Sequence, residues 1–129
     1  MIKTGGLYHL HLVVRDLERA VRFYTDVFGM QEQFRAGPNM VFLSTPGSHD
    51  LLTLNQDPAE AQRAGDNGGI GHFGFRLTDA QQLDAAVEAV RRGGGTLLSR
   101  GEHAPGVPYA YVRDPDGYVI EIGGGVQTR

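Results

Sequence analysis

Residues 6–16 read GLYHLHLVVRD and residues 69–79 read GIGHFGFRLTD, so the second stretch repeats the first at a constant offset. Gly6 matches Gly69, His9 matches His72 and Asp16 matches Asp79. Each copy is a short apolar strand closed by an acidic residue and followed by apolar positions at helical spacing. A repeat of this length in a chain of 129 residues implies two copies of one supersecondary unit. It also sets two histidines at equivalent points of the two units, and converging histidines are the beginning of a metal site.

Working outward, the first strand runs from Leu7 to Val14, and Asp16 is placed to cap a helix ending near Phe28. Leu17, Ala20, Val21, Tyr24, Val27 and Phe28 form its apolar face, and Gly29 stops it. Strands are expected at Met30–Arg35, Met40–Ser44 and Leu51–Asn55, separated by Gly37-Pro38-Asn39 and Pro46-Gly47-Ser48. The second copy has a strand over Gly71–Leu77 and a helix capped by Thr78 or Asp79. That helix carries Leu83, Ala86, Val87 and Val90 and ends at Gly93-Gly94-Gly95. Strands follow at Thr96–Ser99, Tyr109–Arg113 and Tyr118–Ile122, with Gly101–Pro108 as a loop and Asp114-Pro115-Asp116-Gly117 as a turn. The order is βαβββ, twice, which is an α+β fold of two tandem modules. The first spans about residues 5–56, a polar linker about 57–68, and the second about 69–124.

Composition removes whole classes of function. The chain is 40% hydrophobic and 21% charged, an ordinary soluble composition, and its length suits one domain. A net charge of −3 without a basic block argues against a nucleic-acid partner. No run is long and apolar enough to cross a membrane, so a cytoplasmic protein without a membrane partner is expected. With no cysteine there is no thiolate ligand or nucleophile, and any metal must sit on nitrogen and oxygen.

Strand alternation decides which side chains share a face. Leu10, Leu12 and Val14 point one way, with His9, His11 and Val13 opposite. Phe73, Phe75 and Leu77 oppose His72, Gly74 and Arg76, while Ile120 and Ile122 oppose Val119, Glu121 and Gly123. Burying His9, His72 and Glu121 against a core is costly unless something binds them, so they are assigned to a polar face.

Three motifs in order, HLHLVVRDLERAVRFYTDVFG, HFGFRLTD and DPDGYVIEI, resemble the vicinal oxygen chelate superfamily. That family includes glyoxalases, bleomycin-resistance proteins, fosfomycin-modifying thiol transferases and extradiol dioxygenases. The resemblance covers Leu7 to Gly124. It implies that the mixed sheets of the two βαβββ modules form a metal-binding cup, with His9, His72 and Glu121 as ligands. Two imidazoles and one carboxylate leave coordination positions open for a chelating substrate. Iron(II) or manganese(II) is the favoured divalent ion, with zinc(II) or nickel(II) as alternatives.

Thr53 matches Glu121 in the repeat, where glyoxalase-type isomerases resembling this chain carry a glutamate or glutamine. The three-ligand pattern is instead similar to extradiol dioxygenases and fosfomycin thiol transferases. Dioxygenases have a tyrosine at the place of Tyr111 and a histidine upstream, for which His103 is the nearest candidate. Asp50 stands where their further histidine falls, with His49 one position early.

The expected function is therefore a metal-dependent enzyme, dioxygenase-like, on a small molecule chelated through adjacent oxygens. Tyr111 and His11 are the catalytic candidates, and Arg76, Thr53, Tyr109 and His103 the substrate-binding ones. Alternatives are a thiol transferase, whose loop lysine and serine pattern is missing here, a lyase or isomerase, and a non-catalytic antibiotic-binding protein. The resemblance further implies a homodimer.

Overall fold

Each copy of the repeat builds one sheet and lays its helix on it, because each has one apolar face to cover. The computed structural model describes residues 1–65 and 68–124; Asp66 and Asn67 of the expected linker lie outside them. The chain divides into two compact units, Met1–Gln62 and from Arg63 onward.

In the first unit, β1 (Leu10–Val14) leads into α1 (Leu17–Phe28), then β2 (Gln31–Arg35), β3 (Met40–Ser44) and β4 (Leu52–Gln56). The sheet order is β1-β4-β3-β2, with β1 parallel to β4 and the other pairs antiparallel. Asp16 caps α1 as expected, its Oδ1 accepting the Arg19 N–H at 3.1 Å, and Gly29 ends it in the left-handed conformation. Val14, Val41, Leu43 and Leu54 are fully buried, as are Phe23 and Tyr24 of α1, whose rings meet edge-on at 5.1 Å. Phe23 lies outside the expected stripe because a helix on a sheet buries a broad apolar face, not a narrow seam. β1 begins at Leu10 and not at Leu7. Its ladder with β4 starts at Leu10↔Leu52, and Leu7 and Tyr8 before it are exposed. A 3₁₀ turn, Pro58–Arg63, follows β4 where a linker is expected.

The second unit repeats this order. β5 (Phe73–Arg76) is followed by a 3₁₀ turn, Ala80–Gln82, and by α2 (Leu83–Arg92). β6 (Thr96–Ala104), β7 (Val107–Arg113) and β8 (Val119–Gly123) complete a sheet ordered β5-β8-β7-β6. Asp79 caps the 3₁₀ turn, its carboxylate accepting from the Gln81 N–H. Leu83, Val87 and Val90 cover Val112, Ile120 and Ile122.

In the Asp114–Gly117 turn, the Gly117 N–H donates to the Asp114 carbonyl at 3.0 Å. Asp114 Oδ1 accepts from the N–H groups of Asp116 and Tyr118, both at 2.9 Å. Gly65, with φ of +92°, packs against this turn so closely that a Cβ would lie 2.8 Å from the Asp116 carbonyl oxygen.

One outer strand of each sheet, β2 in the first and β6 in the second, carries irregularities. The β2–β3 ladder shifts register between Glu32 and Phe34, and β6–β7 shifts between Leu97 and Ser99 and again between Glu102 and Ala104. Each is also clamped to the first turn of its own helix: Arg35 holds Glu18 through two hydrogen bonds, and Arg100 holds Asp84 at 2.5 Å. The expected Gly101–Pro108 loop is not a loop. β6 and β7 continue into it as a hairpin turning at Pro105-Gly106, where proline fixes its own φ and Gly106 takes φ of +79°. No helix among the described residues is long and apolar enough to cross a membrane.

Candidate functional site

Cross-strand register arranges the second unit's polar residues in two rows on one face of the sheet. The first runs Gly74, Glu121, Tyr111, Ser99 over β5, β8, β7 and β6; the second runs Arg76, Gly123, Tyr109, Gly101. A glycine thus flanks Glu121 across β5, and another separates Arg76 from Tyr109. The space this leaves is an open pocket of about 240 Å³ lined by Gly74, Phe75, Arg76, Glu121 and Gly123. Arg76 makes no ion pair among the described residues.

Glu121 is the hub. Its Oε2 accepts from His103 Nε2 at 2.6 Å, its Oε1 lies 3.4 Å from His72 Nε2, and the Tyr111 hydroxyl reaches Oε1 at 3.4 Å. Rings pack around it: His72 meets Tyr111 edge-on at 5.1 Å, and His103 stacks on Tyr109 at 4.3 Å and 21°. The hydrogen bond from His103 holds the Glu121 carboxyl below its ordinary range, helped by the fields of His103 and His72 and by Tyr111, while partial burial opposes them. Tyr111 is pushed the other way, by desolvation first and then by the negative charge it faces, so its hydroxyl keeps its proton.

Two donors about 2.1 Å from one ion, at angles between octahedral and tetrahedral, are about 3.0–3.4 Å apart. The 3.4 Å between His72 Nε2 and Glu121 Oε1 fits that pair. Among the described residues no group of three or more histidine, aspartate or glutamate side chains is gathered to hold an ion. His103 accordingly backs the carboxylate through its other oxygen.

The structure brings His72, Glu121, Tyr111, Tyr109 and His103 together, with Arg76 across the pocket. His9, His11 and Thr53 belong to the first unit. His9 precedes β1, exposed, with its ring 4.6 Å from Tyr8. His11 is exposed and pairs with Thr53, as Gly74 pairs with Glu121. Thr53 is 1% exposed, and its Oγ1 is buried without a hydrogen-bond partner among the described residues. Asp50 serves its turn, accepting from the Thr45 N–H at 2.7 Å. The contact that sequence reasoning missed is His103 with Glu121. Its signal was Pro105-Gly106, which reads as a two-residue hairpin turn and would have returned His103 to the sheet.

Residues 6–122 match the family model of the Glyoxalase/Bleomycin resistance protein/Dioxygenase superfamily. A probable lactoylglutathione lyase of Vibrio parahaemolyticus is 29% identical over 94% of this chain and 91% of its own length. The catechol-2,3-dioxygenase of Bacillus subtilis is 31% identical over 86% of this chain, which spans only 38% of that protein. Among solved structures, the fosfomycin resistance protein FosX of Listeria monocytogenes, complexed with Mn(II) and 1S,2S-dihydroxypropylphosphonic acid, superposes with a TM-score of 0.78. It covers 96% of this chain and 93% of its own and, at 18% identity, shares the fold.

Proposed function

From its membership of the glyoxalase/bleomycin resistance protein/dioxygenase superfamily, to which this chain belongs, we propose that it is a divalent-metal-dependent enzyme acting on a small substrate chelated through adjacent oxygens. The observation that carries this reading is the convergence of His72 Nε2 and Glu121 Oε1 at ligand spacing beside an open, glycine-floored pocket. His9 is proposed as the third ligand because it is the counterpart of His72 in the repeat. When bound, the ion would polarise the substrate's paired oxygens as a Lewis acid, and a redox-active ion would also take up oxygen.

The chain's own residues account for the rest. Tyr111, protonated beyond its ordinary range, donates a hydrogen bond to negative charge developing on a substrate oxygen. Arg76 offers a planar pair of donors to an anionic substrate group, and Gly74 and Gly123 leave the space between. His11 is proposed as an auxiliary base from the first unit. The leading reaction class is dioxygenase-like, because Thr53 supplies no carboxylate as a fourth ligand. A lyase is the second reading, favoured by the match to the lactoylglutathione lyase over nine tenths of that protein.

Elemental analysis of protein purified anaerobically without a histidine tag, beside His72→Ala, tests the proposal. Near-stoichiometric iron or manganese lost in the variant, with oxygen uptake on catechols, supports the dioxygenase reading. Zinc or nickel lost in the same way supports the lyase. Wild type and variant equally empty, and unable to take up added metal, would overturn the metal-enzyme proposal.

A further inference from the structure

His103 reaches Glu121 through three features of β6 and β7. It is the extra residue where the ladder slips: Glu102 pairs with Pro108 and Ala104 with Val107, which leaves His103 unpaired between them. Such bulges re-aim a side chain. Tyr109 provides the second feature, its ring stacked on the imidazole at 4.3 Å and 21°. The third is Gly101, paired with Tyr109. A Cβ there would lie 2.6 Å from the Tyr109 hydroxyl and 2.8 Å from its ring carbon, so the ring occupies space that only glycine leaves open.

We infer that Tyr109, seated on Gly101, is a positioning residue that holds the His103 ring so that Nε2 donates to Oε2 of Glu121 and Oε1 stays turned towards His72. A bulged residue near a hairpin tip has no ladder bonds of its own to fix it. Without the aromatic shelf the imidazole would sample other rotamers, and the carboxylate would be free to rotate. The hold on Glu121 is a property of the metal-free protein; its consequence for affinity rests on the metal-site reading above. Partners behind a ligating carboxylate tune metal affinity about 10–100-fold.

The test compares wild type, Tyr109→Phe, Tyr109→Leu and Gly101→Ala. Long-range proton–nitrogen NMR of the His103 ring in metal-free protein reports directly on the Nε2 proton. We expect a slowly exchanging Nε2–H in wild type and in Tyr109→Phe, which keeps the ring, and its loss in both other variants while far-UV circular dichroism is unchanged. Retention in Tyr109→Leu or in Gly101→Ala would overturn the inference, as would loss in Tyr109→Phe. Calorimetric titration with cobalt(II) then reads the consequence: about tenfold weaker binding in Tyr109→Leu and Gly101→Ala, and binding within about twofold of wild type in Tyr109→Phe. Absence of cobalt binding in wild type would refute the metal reading while the NMR result still decides the positioning role.

Discussion

Replacing Gly65 by alanine separates two costs that usually arrive together. Gly65 has φ of +92°, and its Cβ would sit 2.8 Å from the backbone oxygen of Asp116. Gly47 has φ of +80° with nothing within 4 Å. Alanine at either position costs about 1–2 kcal/mol for the left-handed backbone. At Gly65 the methyl also meets a carbonyl fixed by the Asp114 turn, so one backbone segment must move, adding about 1–3 kcal/mol as in overpacked cores. The expected totals are about 2–5 kcal/mol for Gly65→Ala and about 1–2 kcal/mol for Gly47→Ala. At about 3–5 °C per kcal/mol for a chain of this size, Tm falls by roughly 6–25 °C and roughly 3–10 °C respectively. Thermal unfolding followed by far-UV circular dichroism, with both variants in one buffer, reads the difference. If Gly65→Ala loses no more than Gly47→Ala, the linker does not press on the turn and the steric argument fails.

Three further outcomes are expected. His103→Phe should move the Glu121 titration upward. The folded carboxyl, held below its ordinary 4.5, binds a proton less tightly than in the unfolded chain, so its contribution to stability is present above pH 4.5 and lost as pH falls through the folded value; carbon-13 NMR of the carboxyl that shows no upward shift in the variant would contradict this. Arg76→Gln should weaken oxalate binding to metal-loaded protein about tenfold, because the guanidinium offers paired donors to a carboxylate; unchanged oxalate affinity would remove Arg76 from recognition of anionic substrate groups. Thr53→Val should be neutral or stabilising by up to about 1 kcal/mol in urea unfolding, since the buried hydroxyl has no partner among the described residues to lose; a clear loss would mean that something satisfies it.

Local chemistry was the legible part of the sequence. Asp16 and Gly29 delimit α1, and Asp114-Pro115-Asp116-Gly117 makes the turn before β8, because capping and turn formation depend on neighbours in the chain. The repeat revealed two βαβββ units for the same reason. What eluded it depends on register between distant strands. β6 is long but polar and interrupted by Gly101, so no apolar alternation marked its far half, and His103 read as a loop residue. The glycine matters because Tyr109 lies over it, a fact set by the β6–β7 ladder and not by either segment alone. His9 is the converse case: its alternation suggested a strand, but the ladder with β4 begins one residue later.

The slips in β2 and β6 bear on how this protein stays in solution. Among the described residues both strands have a sheet neighbour on one side only, so each has a row of backbone donors and acceptors outside its ladder. A bulge spoils the even spacing that a second strand would need, and Glu32 and Arg35 on one edge, Arg100 and Glu102 on the other, add charge that resists desolvation. The irregularity that aims His103 at Glu121 therefore also makes its edge a poorer template for aggregation, and deleting His103 would remove a partner of Glu121 together with one of the two slips that guard β6.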